Sequence, residues 1–155
     1  HPLVAEQYNV SLVPGIVIAS KKGDQIIDSG VRFAGIPAGH EFSSLINALL
    51  LVSKGDSGLS EEGRKFLAGL ETPIHLQVFV TTSCPYCPQA VTLAHQMALE
   101  SEYVQAEMIE AVEFNELSNQ YGVSGVPHTI INQGKGEVVG AVPENVLVEE
   151  MMRIL

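Results

Sequence analysis

Apolar residues follow two different periods along this chain of 155 residues. The run 74–80 is short and almost continuously apolar, which predicts a buried strand. Between 90 and 98 apolar residues recur every three or four positions, which predicts a helix. A strand near 108–112, a short helix and a new strand from His128 complete the pattern. Strands that alternate with helices in this way predict an α/β fold.

Part of the pattern occurs twice. Residues 7–14 and 120–127 are identical at six of eight positions. Each copy is followed by a predicted strand, turn, strand and helix. In the first copy the strands are 15–20 and 25–34 and the helix is 40–53. The second copy has strands at 129–131 and 137–142 and a helix at 143–155, so the sequence predicts two related units in tandem.

The first of these helices is rich in large apolar side chains at helical spacing, and that face is predicted to be buried in the core. Its members are Phe42, Leu45, Ile46, Leu49, Leu50 and Val52.

The only two cysteines are Cys84 and Cys87, with Pro85-Tyr86 between them, where the strand 74–80 gives way to a helical pattern. Unpaired N–H groups and the dipole at a helix N-terminus favour a thiolate, which makes Cys84 a nucleophile at neutral pH. Cys87 lies within reach and can resolve the mixed disulfide that Cys84 forms.

A zinc site and a purely structural disulfide are the alternatives for this pair. Zinc prefers four ligands, but the sequence has no second cysteine pair, and His95 is roughly 16 Å away along a helix. A bridge that closes so short a loop constrains the unfolded chain little. Redox chemistry is therefore favoured, with the Cys84–Cys87 disulfide as the reacting group and with no metal or other cofactor.

The motifs together resemble the thioredoxin and glutaredoxin superfamily. Val126-Pro127 follows Cys87 by forty residues, and a new strand begins directly after it. Residues 31–42 and the sequence Cys84-Pro85-Tyr86-Cys87 are similar to glutaredoxin-like protein disulfide oxidoreductases with tandem thioredoxin folds. They are also similar to the N-terminal domain of the alkyl hydroperoxide reductase flavoprotein.

This resemblance implies roles for four residues around the cysteines. Pro127 would have a cis peptide bond, would offer no backbone ligand to a metal because it lacks an N–H, and would turn the polar groups of Val126 toward the backbone of a substrate. Pro85 and Tyr86 would support the active site.

The resemblance also implies a domain organisation, with a partial thioredoxin-like unit at 1–57 followed by a complete unit at 58–155. The opening strand and helix of the first unit are missing from a chain that begins at His1. The strand 15–20 would then have an open apolar edge. We therefore expect a homo-oligomer, or association with a missing N-terminal fragment.

Proton transfer has no obvious residue in the sequence. Thioredoxins use a buried Asp on the strand before the cysteines, and Val78 stands at that position. Glu110, on the predicted strand 108–112, is the candidate for a proton relay if it points toward Cys87. His128 is interpreted as a surface strand residue, with tuning of the Cys84 thiolate as the alternative.

Charge and composition limit the partners. A formal net charge of −10 argues against nucleic acid and makes anionic glutathione a poor substrate, so protein disulfides or dithiols are favoured. No apolar run reaches the roughly 20 residues of a membrane span. A single pair of functional thiols fits a reducing, cytoplasmic environment.

Three functions remain open on the sequence. The first is a dithiol–disulfide oxidoreductase that acts on proteins. The second is an electron carrier between a flavoprotein reductase and a peroxiredoxin. The third is a module that binds extended peptides by strand pairing and has only incidental redox activity.

Overall fold

The computed structural model describes residues 2–155, so His1 lies outside the described residues. The helices are α1 (Pro2–Gln7), α2 (Glu41–Lys54), α3 (Glu61–Ala68), α4 (Cys87–Glu100), α5 (Asn115–Gln120) and α6 (Glu144–Arg153). The strands are β1 (Gly15–Lys22), β2 (Gln25–Ala34), β3 (Ile74–Val80), β4 (Val104–Glu110), β5 (His128–Ile131) and β6 (Gly136–Val139). The predicted alternation of strands and helices is confirmed. The largest differences are at β4, which begins and ends earlier than expected, and at β6, which is shorter.

The strands form one six-stranded sheet in the order β1-β2-β4-β3-β5-β6. The inner strands β2, β4 and β3 are mutually parallel, whereas β1 and β5 run antiparallel to their neighbours. The C-terminal ends of β2, β4 and β3 therefore lie at the same edge of the sheet as the N-terminal ends of β1 and β5. We call this edge the cysteine edge, because Cys84 follows β3 there.

Side chains alternate between the two faces of the sheet, as pleated strands require. On β3, Val78 and Val80 belong to the larger core cluster, which also contains buried residues of α2, α3, α4 and α6. Phe79 belongs to a smaller cluster on the other face, which is packed against residues of α5. The cysteine pair lies on the side of the larger core.

The prediction for the buried face of α2 is wrong at most positions. The helix buries Glu41, Ser44, Ala48 and Val52 and leaves four large apolar residues exposed. The exposed residues are Phe42, Ile46, Leu49 and Leu50, each at least 40% accessible. The buried stripe faces α4, whose buried positions include several alanines. Small side chains on both helices allow close approach, so the larger ones remain on the outer side.

His95 is a buried polar residue of α4. Its Nε2 lies 3.1 Å from the carbonyl oxygen of Arg32, and its ring packs edge-on against Phe33. Burial lowers the pKa of His95 to about 4, and the hydrogen bond to Arg32 opposes this only in part. The neutral ring therefore fastens α4 to β2 and is not available to a metal near the cysteines.

The two sequence repeats adopt the same local structure. Each is followed by strand, turn, strand and helix: β1, β2 and α2 in the first copy, and β5, β6 and α6 in the second. The first strands of the two copies, β1 and β5, differ in their neighbours. β5 pairs with strands on both sides, whereas β1 pairs only with β2 among residues 2–155. The open strand edge expected from the sequence is present at β1.

Among the helices of residues 2–155, none is long and apolar enough to cross a membrane.

Candidate active site

The cysteine pair lies where β3 ends and α4 begins. β3 is fixed by β4 on one side and β5 on the other, so the loop after Val80 starts from a rigid position. Cys84 and Cys87 form a disulfide, with their Cα atoms 5.5 Å apart. The helix begins at Cys87 and not at Cys84. Cys84 therefore precedes the helix, and the disulfide holds its sulfur against the first turn.

The two cysteines differ in access to solvent. Cys84 is 9% accessible, whereas Cys87 is completely buried. Tyr86 between them is 69% accessible, and Pro85 is also exposed. Cys84 is therefore the more accessible cysteine of the two.

The loop before β5 lies directly beside this disulfide. The Val126–Pro127 peptide bond is cis, as the resemblance implied. The carbonyl oxygen of Val126 lies 3.9 Å from the Cys84 sulfur, and the carbonyl oxygen of Pro127 accepts a 2.8 Å hydrogen bond from Gly140. A polypeptide that approaches Cys84 therefore meets the main chain of Val126.

Glu110, the predicted proton relay, is the last residue of β4 and is buried. Its carboxylate accepts a 2.6 Å hydrogen bond from the backbone N–H of Glu113. This contact binds the carboxylate to the loop after β4. A role for Glu110 at Cys87 stays a prediction.

Glu41 is a second buried carboxyl at the cysteine edge, and it was not among the site residues predicted from the sequence. It is completely buried, and neither of its oxygens has a hydrogen-bond partner among the described residues. Burial raises the pKa of Glu41 to about 7, and the neighbouring Ser44 hydroxyl opposes this only weakly. A carboxyl with such a pKa can gain or lose a proton at neutral pH.

The start of α2 brings Glu41 to the cysteine loop. The backbone N–H of His40 donates a 2.9 Å hydrogen bond to the carbonyl oxygen of Thr82, two residues before Cys84. Gly39 has a positive φ of 58°, and a side chain there would collide with the main chain of Thr82. This close approach requires glycine. One sequence feature could have indicated the burial of Glu41. Residues 41, 44, 48 and 52 lie on one face of the helix, and on this face Glu41 continues the stripe formed by Ser44, Ala48 and Val52.

His128 is neither exposed nor directed at the cysteines. Its side chain is 7% accessible, and its Nε2 lies 2.9 Å from a carboxylate oxygen of Glu137 on β6. The interpretation as a surface residue is therefore wrong. His128 pairs with Phe79, which places its side chain on the face of the smaller core cluster, opposite the cysteines.

No group of three or more His, Cys, Asp or Glu side chains in residues 2–155 has the arrangement of a metal site.

A mixed sheet around β3, a disulfide at a strand–helix junction and a neighbouring X-Pro loop define a dithiol–disulfide protein of thioredoxin type. The thioredoxin-domain family model matches residues 74–153, and the chain belongs to this family.

Solved structures extend the similarity to nearly the whole chain. A protein disulfide oxidoreductase from Aeropyrum pernix K1 is 32% identical with a TM-score of 0.82, over 94% of this chain and 61% of its own. The alkyl hydroperoxide reductase AhpF from Enterococcus faecalis, as a C503A mutant, is 28% identical with a TM-score of 0.85, over 96% and 69%. Both resemblances drawn from the sequence are confirmed.

Among sequence relatives, the alkyl hydroperoxide reductase AhpF of Pseudomonas aeruginosa is 34% identical over 113 residues. The match covers 73% of this chain and 21% of that protein. The chain thus spans about a fifth of the length of the curated relatives it matches.

Proposed function

We propose that this chain exchanges disulfides with protein substrates, with Cys84 as the nucleophile and Cys87 as the resolving thiol. The observation that carries this proposal is the asymmetry of the pair: Cys84 is the more accessible cysteine and its sulfur lies beside the Val126 carbonyl, whereas Cys87 is completely buried. Such an arrangement favours capture of a polypeptide at Cys84 followed by internal resolution.

The reaction begins with the reduced pair. The Cys84 thiolate attacks one sulfur of a substrate disulfide, so that a Cys84–substrate bond forms and the substrate S–S bond breaks. The released substrate thiolate takes a proton from solvent. Cys87 then loses its proton and attacks the Cys84 sulfur, which releases the second substrate thiolate. The substrate gains two electrons, and the protein ends with the Cys84–Cys87 disulfide.

We propose that Glu41 accepts the proton of Cys87 in the second half of this reaction. A buried thiol needs a nearby base, and the Glu41 carboxyl lies at the α2 start that contacts the cysteine loop. Its raised pKa of about 7 leaves a large fraction of carboxylate at neutral pH. Glu110 is the sequence-based alternative, but its carboxylate is already engaged by the N–H of Glu113.

A second candidate function is an electron carrier from a flavoprotein reductase to a peroxiredoxin. The specific observation in its favour is the similarity to the alkyl hydroperoxide reductase AhpF proteins. The same two cysteines would serve this function. A binding module with incidental redox activity is the third alternative.

Trapping the mixed disulfide tests all three. In Cys87→Ser, the bond between Cys84 and its substrate cannot be resolved and should accumulate in cells. Mass spectrometry of the captured species should show many different proteins. A single captured peroxiredoxin would favour the electron carrier, and no captured protein at all would contradict both redox functions. Cys84→Ser/Cys87→Ser is the matched control and should capture nothing.

We propose that residues 1–57 and 58–155 are the two structural units, and that the protein associates with itself in solution. The open edge of β1 and the exposed apolar residues of α2 support association, because such surfaces are rarely left bare. Sedimentation equilibrium on the purified chain that shows only a monomer would contradict self-association.

A single pair of functional thiols fits a reducing environment, and on this ground we propose a cytoplasmic location. Recovery of the protein outside the cytoplasm on cell fractionation would contradict it.

A further inference from the structure

The first repeat has a loop equivalent to the one beside the disulfide. Val13-Pro14 corresponds to Val126-Pro127, and in both copies the proline carbonyl accepts a 2.8 Å hydrogen bond from a glycine N–H. Val13 is 80% accessible. Within residues 2–155, the main-chain N–H and C=O of Val13 make no hydrogen bond. An exposed residue with free main-chain groups can pair with an extended polypeptide.

A groove of about 540 Å³ lies next to this loop. It runs between Leu12 and α5, and its apolar lining comes from Leu12, Phe114 and Leu117, which are all partly buried. The carboxylates of Glu113 and Glu116 line the same groove. One oxygen of Glu113 is held by the N–H of Ile36, which fixes the position of the charge.

The groove and the disulfide lie at the same edge of the sheet, the groove on the face that α5 covers and the disulfide on the face of the larger core. Both loops precede strands that begin at the cysteine edge, β1 and β5. Four strand spacings separate these strands in the order β1-β2-β4-β3-β5. At about 4.8 Å per spacing, Val13 lies about 19 Å from Val126. An extended polypeptide crosses this distance in about six residues.

We propose that the groove beside Val13 is a second anchoring site for the protein substrates that react at Cys84. This inference rests on the proposed function and adds a substrate class to it. The substrate has an extended segment, about six residues from its reactive sulfur, in which apolar and basic side chains alternate. The apolar side chain enters the groove, the basic side chain meets Glu113 and Glu116, and the segment's backbone pairs with Val13.

Charge selects this occupant over others. The chain has a formal net charge of −10, and both charged side chains at the groove are acidic. An acidic segment would be repelled there, and a neutral one would form no ion pair with either carboxylate. A basic and apolar extended segment complements both features of the groove.

Three synthetic peptides test the proposal. Each contains one cysteine joined in a disulfide to thionitrobenzoate, whose release is coloured. The tail-free peptide has nothing beyond this core. The lysine peptide carries a six-residue spacer and then a Val-Lys-Val-Lys segment on each side of the cysteine. In the glutamate peptide, glutamate replaces each lysine. With the reduced protein in excess, each peptide oxidises one Cys84–Cys87 pair. We expect the second-order rate constant for the lysine peptide to exceed that for the tail-free peptide about tenfold, and the glutamate peptide to show no gain. Tenfold corresponds to about 1.4 kcal/mol.

Variants locate the effect. Val13→Lys and Glu116→Lys should each bring the ratio of the second-order rate constants for the lysine peptide and the tail-free peptide close to one. Val139→Lys is the matched control. Val139 is also an exposed valine, at 64% accessibility, but it lies on β6, at the opposite end of the strand order from β1. Its ratio should stay near ten.

The outcomes separate this inference from the proposed function. Two outcomes overturn the anchoring site alone. In the first, the wild-type protein reacts with the tail-free peptide, but the ratio of rate constants between the lysine and tail-free peptides is near one. In the second, this ratio is the same for Val13→Lys and Val139→Lys. A reduced wild-type protein that releases thionitrobenzoate from none of the peptides overturns both.

Discussion

Replacing Cys84 by serine should abolish disulfide reduction, with a loss of at least about 1,000-fold in kcat/KM for insulin as substrate. The hydroxyl of serine is a far weaker nucleophile than a thiolate, and the remaining Cys87 is buried and has no access to a substrate. The loss can be measured by the turbidity of reduced insulin chains, with dithiothreitol to regenerate the protein.

Two further variants make this result specific. Ser83→Ala changes the exposed neighbour of Cys84 and should retain the wild-type rate. Cys87→Ser should perform a single attack, release one equivalent of leaving group from a mixed disulfide and then stop. If Cys87→Ser were inactive in this first step and Cys84→Ser retained it, the roles of the two cysteines would be reversed.

Replacing Glu41 by glutamine should slow the second half of the reaction at pH 7 by about 10- to 100-fold, because Cys87 then has no base to accept its proton. The first attack by Cys84 should be nearly unaffected. The deficit should shrink as the pH rises beyond about 8.5, the pKa of a free thiol, because the buried Cys87 thiol then ionises increasingly without help. Rapid mixing of reduced protein with a peptide disulfide separates the two steps.

Glu41→Gln should also change the thermal stability of the protein in a way that depends on pH. The direction is opposite to that expected when a carboxylate is removed from an ion pair. Burial raises the pKa of Glu41 in the folded protein to about 7, above its ordinary value of 4.5. The folded state therefore favours the protonated carboxyl, and its stability falls as pH rises from the ordinary pKa through the raised one. Glu41→Gln removes this loss, so its Tm should exceed that of the wild type at pH 8.5 and approach it at pH 4.5.

An exposed acid provides the control for both measurements. Glu149→Gln removes a carboxylate from the outer side of α6 and should change neither the resolution rate nor the pH dependence of Tm. If Glu41→Gln resolved mixed disulfides at the wild-type rate across the pH range, Glu41 would have no part in proton transfer, and Glu110 would become the residue to replace next.

The sequence was sufficient for β3, for the order of elements in the two repeats and for the reactive pair, because all three depend on local signals. An apolar run of seven residues defined β3 within its exact bounds, and the repeat at 7–14 and 120–127 predicted matching strand, turn, strand and helix segments. The Cys-x-x-Cys spacing and the X-Pro loop indicated thiol chemistry before any contact was known.

The burial of α2 could not be predicted in the same way, because it depends on the neighbouring helix. Ala48 and Ser44 face α4, where alanines leave room for close packing, and the large apolar residues point away. Counting apolar residues at helical spacing assigns the wrong face in such a case. The burial of Glu41 also depends on the neighbouring elements. The sequence did not indicate it, because an acid in the first turn of a helix usually faces solvent.

The central claim is that the Cys84 sulfur is an accessible thiolate at neutral pH. The most direct test is the rate of iodoacetamide alkylation of Cys84 as a function of pH, measured on reduced Cys87→Ser so that only one thiol can react. We predict a titration midpoint at least one pH unit below the value of about 8.5 for a free cysteine. A midpoint at or above 8.5 would contradict this claim.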